Sequence, residues 1–400
     1  MPSEEGPTPP SERIVSLDAL RGFALLGILI INIQVFAMPE IVLFNPTAYG
    51  DLTGGNYWVW LFGEVFARQK FITLFTILFG AGVILFMESA ERKSDDASVL
   101  FFRRSTWLVI FGLAHAYLLW YGDILVGYGL AAFGVVLFRH LPPIRLVRIA
   151  LVFLAVPSLI ELMTGATADP AMIQSAWEPT EAALEEEINT YRSGWWGQFD
   201  HRAPAAFERQ TSGFVVFTAW RVAGSMLLGM ALFKWGVMTN DRSTREYLWL
   251  IAGGALAGIG LTLGGVVFIE SANWAPEVAM YWRQFNYWGS IPLAIAYVGV
   301  VMLYCEWSPA GLITRALAAV GRTAFSNYIL QTVLATWIFY GHGLGLFAQL
   351  DRVEIFAVVL GIWAVQIVLS VVWLRYFRFG PIEWIWRVLT YRSMQPLRRE

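Results

Sequence analysis

The feature that most constrains this chain is a series of long apolar runs almost free of charge, separated by short segments where the charge collects. Reading such runs between charged or Pro/Gly-rich breaks gives ten: 19–37, 71–88, 105–120, 124–138, 146–165, 214–233, 247–269, 287–305, 323–340 and 353–375. About 20 apolar residues cross the hydrocarbon core of a bilayer, and there a helix satisfies its own backbone hydrogen bonds. The charge content agrees: 57% of residues are hydrophobic and 14% charged, where a soluble domain carries about 25% charge. The predicted fold class is therefore all-α, a polytopic transmembrane bundle of about ten spans with short interfacial helices, enclosed by the lipid bilayer.

Lys and Arg set the orientation. With the N-terminus inside, 18 of them fall in inner segments and seven in outer ones, leaving Arg21, Arg221 and Arg375 within spans. The positive-inside rule then predicts both ends in the cytoplasm and an even number of spans. Residues 1–18 read as a cytoplasmic tail. The first 12 are polar, proline-rich and acidic, unlike a cleaved signal peptide, so the first span is expected to act as an uncleaved anchor. Residues 19–400 read as one membrane domain. Its longest connection, 166–213, is expected as short helices on the outer face, and Tyr121-Gly122-Asp123 turns the third and fourth runs into a hairpin. Asn56 to Phe66 is rich in Trp and Phe but too short to cross; it reads as interfacial or re-entrant, with an eleventh span as the alternative. Residues 380–391 combine Pro381, two tryptophans and a Glu383/Arg387 pair four apart, the pattern of an amphipathic helix at the inner interface.

Several function classes drop out. A net charge of −2 offers no basic field for nucleic acid. The single cysteine, Cys305, excludes an internal disulfide. His140, His201 and His342 lie outside the spans or near their ends, each without a second histidine three or four residues away, so no metal site is expected. Neither a phosphate-binding glycine loop with lysine nor a nucleophile elbow occurs, which argues against an ATP-driven pump.

Ionisable groups inside spans are costly and mark candidate sites. Asp18 and Arg21 sit three apart at the opening of the first span and are placed to pair. Asn32 follows eleven residues after Arg21, in line with it and about 16 Å along the axis, so this face carries a polar stripe that either packs against neighbours or lines a substrate path. His115, in the outer half of the third run, has Asp123 eight residues on to orient its ring, a pattern suited to proton transfer near neutral pH; a structural histidine is the alternative. Glu64, Arg68, Gln69 and Lys70 form an expected charged collar just outside the second run, where the cations would hold an anionic substrate group or lipid headgroups. Arg221, seven residues into the sixth run, requires an acidic or carbonyl partner. Asn327 and Gln331, four apart in the ninth run, either line a substrate path or bond between helices. Gly254/Gly258 and Gly260/Gly264 are expected to allow close helix packing.

Several strings together resemble the YeiB-type bacterial membrane proteins, defined largely by domain of unknown function 418. They are Leu17-Asp18-Ala19-Leu20-Arg21-Gly22-Phe23-Ala24-Leu25-Leu26-Gly27-Ile28 with Asn32, Leu74-Phe75-Thr76-Ile77-Leu78-Phe79-Gly80-Ala81-Gly82, Gly122-Asp123-Ile124-Leu125, Gly321-Arg322-Thr323-Ala324-Phe325-Ser326-Asn327-Tyr328, and Gly380-Pro381-Ile382-Glu383-Trp384-Ile385-Trp386-Arg387. The resemblance implies a bacterial cytoplasmic (inner) membrane. The opening string is also remotely similar to that of membrane acyltransferases, among them the lysosomal heparan glucosaminide acetyltransferase. That likeness implies an acyl donor, often acyl-CoA, and transfer to a hydroxyl or amine. Where many bacterial acyltransferases of this type carry a histidine, this chain has Asn32, as the heparan enzyme does; where that enzyme's histidine follows, this chain has Leu43.

Three functions follow in order of preference. The first is an acyltransferase: His115 acts as general base oriented by Asp123, Arg21 and Arg68 hold anionic parts of a thioester donor, and Asn32 donates to a developing oxyanion. The acceptor would be a hydroxyl or amine of the cell envelope or of a small molecule. The second is a proton-coupled transporter or exporter of a small metabolite or lipid-linked species, with the Asp18/Arg21/Asn32 stripe as its path. The third is a non-enzymatic membrane scaffold.

Overall fold

The computed structural model describes residues 14–93 and 96–399. Most of the expected cytoplasmic tail, residues 1–13, lies outside the described residues. Each apolar run closes into a helix: α1 (Val15–Ala37), α3 (Lys70–Glu91), α4 (Ala97–Leu118), α5 (Leu125–Val135), α6 (Pro143–Thr167), α10 (Ala219–Lys234), α11 (Thr244–Ser271), α12 (Pro276–Trp307), α14 (Ala324–Phe339) and α15 (Arg352–Tyr376). Between them lie α2 (Gly54–Phe62), α7 (Pro170–Trp177), α8 (Glu181–Arg192), α9 (Phe199–Gln210), α13 (Leu312–Arg322) and α16 (Pro381–Tyr391). No strand occurs among the described residues.

Eight of these helices are long and apolar enough to cross a membrane, counting α2 with α3 and α9 with α10 as continuous. The fourth and ninth expected spans, α5 and α14, are shorter. Both are enclosed by neighbours for much of their length, so neither has to match the full hydrocarbon thickness alone. α1 is the most enclosed of the long spans, while α11 and α15 turn most of their surface outward, where apolar side chains meet lipid rather than water. Ile14 and Tyr391 border one cavity, so both described ends share one face, the end face. The other is the cap face, covered by α7, α8 and α9.

Glycines decide how closely the central helices approach. A Cβ on Gly22 of α1 would stand 2.0 Å from the Leu317 carbonyl oxygen, and one on Gly321 of α13 would stand 1.8 Å from that of Asp18. The same device joins α3 to α10, where a Cβ on Gly80 would stand 2.0 Å from the Met226 carbonyl oxygen and one on Gly229 would stand 1.9 Å from that of Ile77. Small residues let backbones touch where no hydrophobic force drives helices together. The expected packing glycines divide. Gly254 and Gly258 seat against α12, whereas Gly260 meets nothing within 4 Å and Gly264 meets only the edge of Phe285 at 3.9 Å; Gly260 and Gly264 lie off the crossing line.

The segment from Asn56 to Phe66 is a short helix running into a π-helical turn, Gly63–Ala67, and then a break at Gln69, whose φ of +62° is left-handed. It is a bent lead-in to α3 rather than a separate span. The expected collar at this point is not a solvated ring: Glu64, Arg68 and Lys70 are 3%, 8% and 0% exposed, because the bend folds them between α3 and α12.

Loop 166–213 forms three short helices tied to the bundle through its backbone. Arg192 Nε donates to the Phe347 carbonyl at 2.9 Å, Trp195 Nε1 to Leu118 at 2.8 Å and Arg202 Nε to Tyr117 at 2.9 Å. Arg209 pairs with Glu40, whose backbone N–H donates to Glu187 at 2.9 Å. Burial, with the Glu40 carboxylate adding to it, pushes the Glu187 carboxyl up to about 7. The folded value lies above the ordinary carboxylate range, so the folded state holds the proton more tightly than the unfolded chain. Its contribution to stability is full below the unfolded value and is lost as pH rises through about 7.

The close crossings and the buried carboxyl can each be tested. Replacing Gly321 by Val should force α1 from α13 and destabilise by about 3 kcal/mol, read as a lowered melting temperature of the purified protein, whereas Gly260→Ala should leave it unchanged. Glu187→Gln should raise the melting temperature relative to wild type by a margin that widens from about pH 5 to about pH 8; a constant margin would refute the assignment.

Candidate functional site

The last turn of α4 carries His115. Two residues past Leu118 the chain reverses, and Asp123 returns beside the helix it has just left. Gly112 makes that return possible: a Cβ there would stand 2.6 Å from the Val126 nitrogen and 2.8 Å from Asp123 Oδ1. Asp123 Oδ1 accepts the Val126 N–H at 2.9 Å and so holds the start of α5. Its other oxygen faces His115 Nδ1 at 2.8 Å. An ionised carboxylate only accepts, so Nδ1 carries the proton and Nε2 of the neutral ring is the acceptor. That nitrogen faces Thr332 Oγ1 of α14 at 2.9 Å. The result is an Asp–His–Thr chain with the two ionisable side chains each 1% exposed. The Tyr328 ring lies 5.0 Å from the imidazole, and its hydroxyl accepts the Ile124 N–H at 3.3 Å.

On the end face, α1, α3, α4, α14 and α16 enclose a cavity of about 330 Å³. Toward the end face it is lined by Arg21, Arg104, Arg322 and Arg387 with Asp18, and Glu383 lines it from α16. Arg21 Nη1 donates to Asp18 at 2.9 Å, the pairing expected from their spacing. The inner walls are apolar, with Phe75, Phe79, Val83, Phe101 and Leu108 among them, and the hydroxyl-bearing rings of Tyr128 and Tyr328 also line the space. Helix α16 closes one side. Trp386 Nε1 donates to the Arg104 carbonyl at 2.9 Å, and the Arg104 guanidinium stacks 3.6 Å over the Trp386 ring. Glu383 turns into the bundle and accepts the backbone N–H groups of Phe325 at 2.7 Å and Ser326 at 3.2 Å. Burial holds its carboxyl above the usual range.

A second polar assembly lies in the half of the bundle nearer the cap. Glu64 pairs with Arg68 at 3.1 Å and receives the Asn286 amide. Lys70 Nζ donates to the Glu64 carbonyl at 2.7 Å and to Asn286 Oδ1 at 3.1 Å. Arg221 finds neither the acid nor the carbonyl its depth called for. One of its terminal nitrogens donates at 3.0 Å to both Thr73 and Ser290, and the guanidinium lies 4.2 Å from the Tyr287 ring centroid. Two hydroxyls, one from α3 and one from α12, and a π-face serve where an acid or a carbonyl was expected.

The expected residues therefore fall into four groups. Asp18 and Arg21 line the end-face cavity. His115 and Asp123 form a closed pair one layer deeper, with Tyr328 standing between them and the cavity. Arg68, Lys70 and Arg221 belong to the assembly near the cap. Asn327 and Gln331 join an amide ladder: Asn327 Nδ2 donates to Thr323 at 2.9 Å and Ser370 at 2.8 Å, and Gln331 Nε2 to Gln366 at 3.0 Å and the Leu25 carbonyl at 3.2 Å. Asn32 is half-buried and lies off the cavity wall. Sequence reasoning missed Thr332, Tyr328, Arg104 and Arg283. Tyr328 and Thr332 did carry a signal, being polar, four apart and on the face of α14 adjacent to Asn327 and Gln331. Arg104 and Arg283 lie in charged segments flanking the apolar runs, where a cation reads as an orientation signal rather than a site.

Fold and site define a multi-spanning integral membrane protein with a basic-mouthed cavity on one face and a buried His–Asp pair beyond it. Residues 232–393 match the family model described as protein of unknown function (DUF418). The chain is 35% identical over 392 residues to the uncharacterized protein YeiB of Escherichia coli (strain K12), covering 96% of this chain and 98% of that protein. It is 30% identical over 417 residues to the uncharacterized protein YxaH of Bacillus subtilis (strain 168), covering 98% of each. The chain belongs to the DUF418 family of YeiB-type membrane proteins.

Removing the Thr332 hydroxyl should leave His115 Nε2 buried without a partner, at a cost of about 1–3 kcal/mol. Thr332→Val should accordingly lower the melting temperature clearly more than Thr336→Val, whose hydroxyl bonds only the Val333 carbonyl of its own helix. Equal losses would show that Thr332 packs without bonding the histidine.

Proposed function

We propose that this protein transfers an acyl group from a thioester donor, acyl-CoA being the fitting class, to a hydroxyl or amine of the cell envelope or of a small molecule. The observation that carries the reading is the two-part chemistry of the end-face cavity. Arginines at the mouth suit the phosphates of a coenzyme A head, and the apolar walls behind them suit a pantetheine arm and acyl chain. With both ends in the cytoplasm of a bacterial inner membrane, as the cation count favours, that mouth faces the compartment that holds acyl-CoA.

In this reading Arg21 and its neighbours hold the donor, and Tyr328 separates the thioester from the His115–Asp123 pair until an acceptor arrives. His115 then accepts the acceptor's proton at Nε2, directly or through the Thr332 hydroxyl, while Asp123 stabilises the imidazolium. The acceptor oxygen or nitrogen bonds the acyl carbon, the carbon–sulfur bond breaks, and the departing thiolate takes up the proton. Asn32 stands outside this arrangement.

One observation favours a transporter instead: the break before α3 puts non-helical backbone beside buried charges, as transporter binding sites do. The two readings separate in proteoliposomes given radiolabelled acetyl-CoA. Transfer of label to an added envelope fraction, lost in His115→Ala, supports the enzyme; no transfer, with proton-coupled uptake of solutes, supports the transporter. The cavity has its own test. Gly82 lines it, and a side chain there meets nothing within 4 Å of the Cβ, so Gly82→Leu fills the space without forcing the helices apart. It should weaken long-chain acyl-CoA binding by about ten-fold or more, roughly 1.4 kcal/mol, with the melting temperature unchanged. Unaltered binding would remove the donor from this cavity.

A further inference from the structure

The assembly near the cap holds more positive charge than its own carboxylates balance. Arg68 pairs with Glu64 at 3.1 Å and Arg283 with Glu161 at 3.0 Å. Lys70 and Arg221 stand beside these pairs, and their hydrogen-bond acceptors are neutral: a carbonyl and an amide oxygen for Lys70, two hydroxyls for Arg221. Among the described residues, four cations of this assembly thus share two carboxylates. Guanidinium capacity is also unused, since Arg221 Nη1 and Arg283 Nε are buried without a hydrogen-bond partner.

The position of the group makes that imbalance costly. Lys70 begins α3, whose far end on the end face is Glu91, about 31 Å of helix away. Asn286, which bonds Lys70, lies a similar distance from the far end of α12 at Trp307. The assembly therefore sits at the cap side of the bundle, and because Lys70 and Arg68 are buried there, an uncompensated cation is expensive to hold. It opens to the surroundings at Arg283, whose side chain is 30% exposed. The adjoining backbone is irregular on two sides: π-helical turns at Gly63–Ala67 and Phe214–Thr218 and the left-handed Gln69, features that cluster at functional sites.

We infer that Arg68, Lys70, Arg221 and Arg283 form an anion-binding site on the cap-side half of the bundle, built for a phosphate group carried by a lipid headgroup or by a soluble ligand. The missing negative charge is the ligand's, and the unused guanidinium N–H groups are its donors. The site is separate from the end-face cavity and stands whatever that cavity carries.

The test uses the full chain purified in detergent and read by its melting temperature. Dihexanoyl phosphatidic acid, inorganic phosphate and, as a control without net charge, dihexanoyl phosphatidylcholine are titrated in turn. Phosphatidic acid, inorganic phosphate or both should raise the melting temperature, the first alone marking a headgroup site and inorganic phosphate marking a soluble anion. Arg221→Gln should weaken that effect by about ten-fold or more, while Arg221→Lys keeps most of it and Gly82→Leu, which fills the other cavity, keeps all of it. If Arg221→Gln does not fold, Lys70→Met carries the same comparison. No shift from either phosphate probe, an equal shift from phosphatidylcholine, or an undiminished shift in the charge-removing variant would overturn the site.

Discussion

Hydrocarbon offers no hydrogen bonds, and that absence organises this protein more than any single contact. A polar group enclosed by the spans has to be met by another part of the chain. The amide ladder of Asn327, Gln331 and Gln366 shows how this is met without charge: Gln331 donates to Gln366 and to the Leu25 carbonyl, Gln366 donates in turn to Asn327, and the ladder ties α14 to α15 and to the backbone of α1. Trp363 adds a further tie through the Leu26 carbonyl at 2.9 Å. Such bonds fix the register of helices whose apolar surfaces alone would slide.

The close crossings act at the same level. Gly22 and Gly321 bring α1 against α13, and the neighbours of both, Arg21 and Arg322, come to the mouth of one cavity. The glycines in the strings that suggested the family are thus largely packing devices. Their spacing places the charged residues beside them, so the motif reports geometry first and chemistry through it. Gly112 does the same for the hairpin, allowing Asp123 to reach back over α4 to His115.

Much of this was legible. Hydropathy marks the spans because lipid imposes one rule on all of them, and the pairing of Asp18 with Arg21 and of His115 with Asp123 follows from helical spacing and a short turn. What the sequence could not show is which helices share an interior. Thr332 and His115 are 217 positions apart, and nothing local links a hydroxyl in one run to an imidazole in another. The collar around Arg68 and Lys70 was misplaced for a related reason. Charge beside an apolar run reads as an interface, whereas the left-handed Gln69 folds these residues inward, and a reversal of that kind leaves no trace in composition. Burial of an arginine alone is costly, so Arg221 reads as needing an acid or a carbonyl; hydroxyls from two helices and a tyrosine ring answer it instead.

The two charged regions differ in how their cations meet the rest of the chain. At the end face, arginines surround open space. Near the cap, the cations are packed against protein, with Lys70 fully buried. From the cavity wall Tyr128 reaches α3 through the Thr76 hydroxyl, while the His115–Asp123 pair lies behind Tyr328. Both nitrogens of His115 are occupied: Nδ1 is fixed by the Asp123 carboxylate, whereas Nε2 is held by a hydroxyl, a group that both donates and accepts.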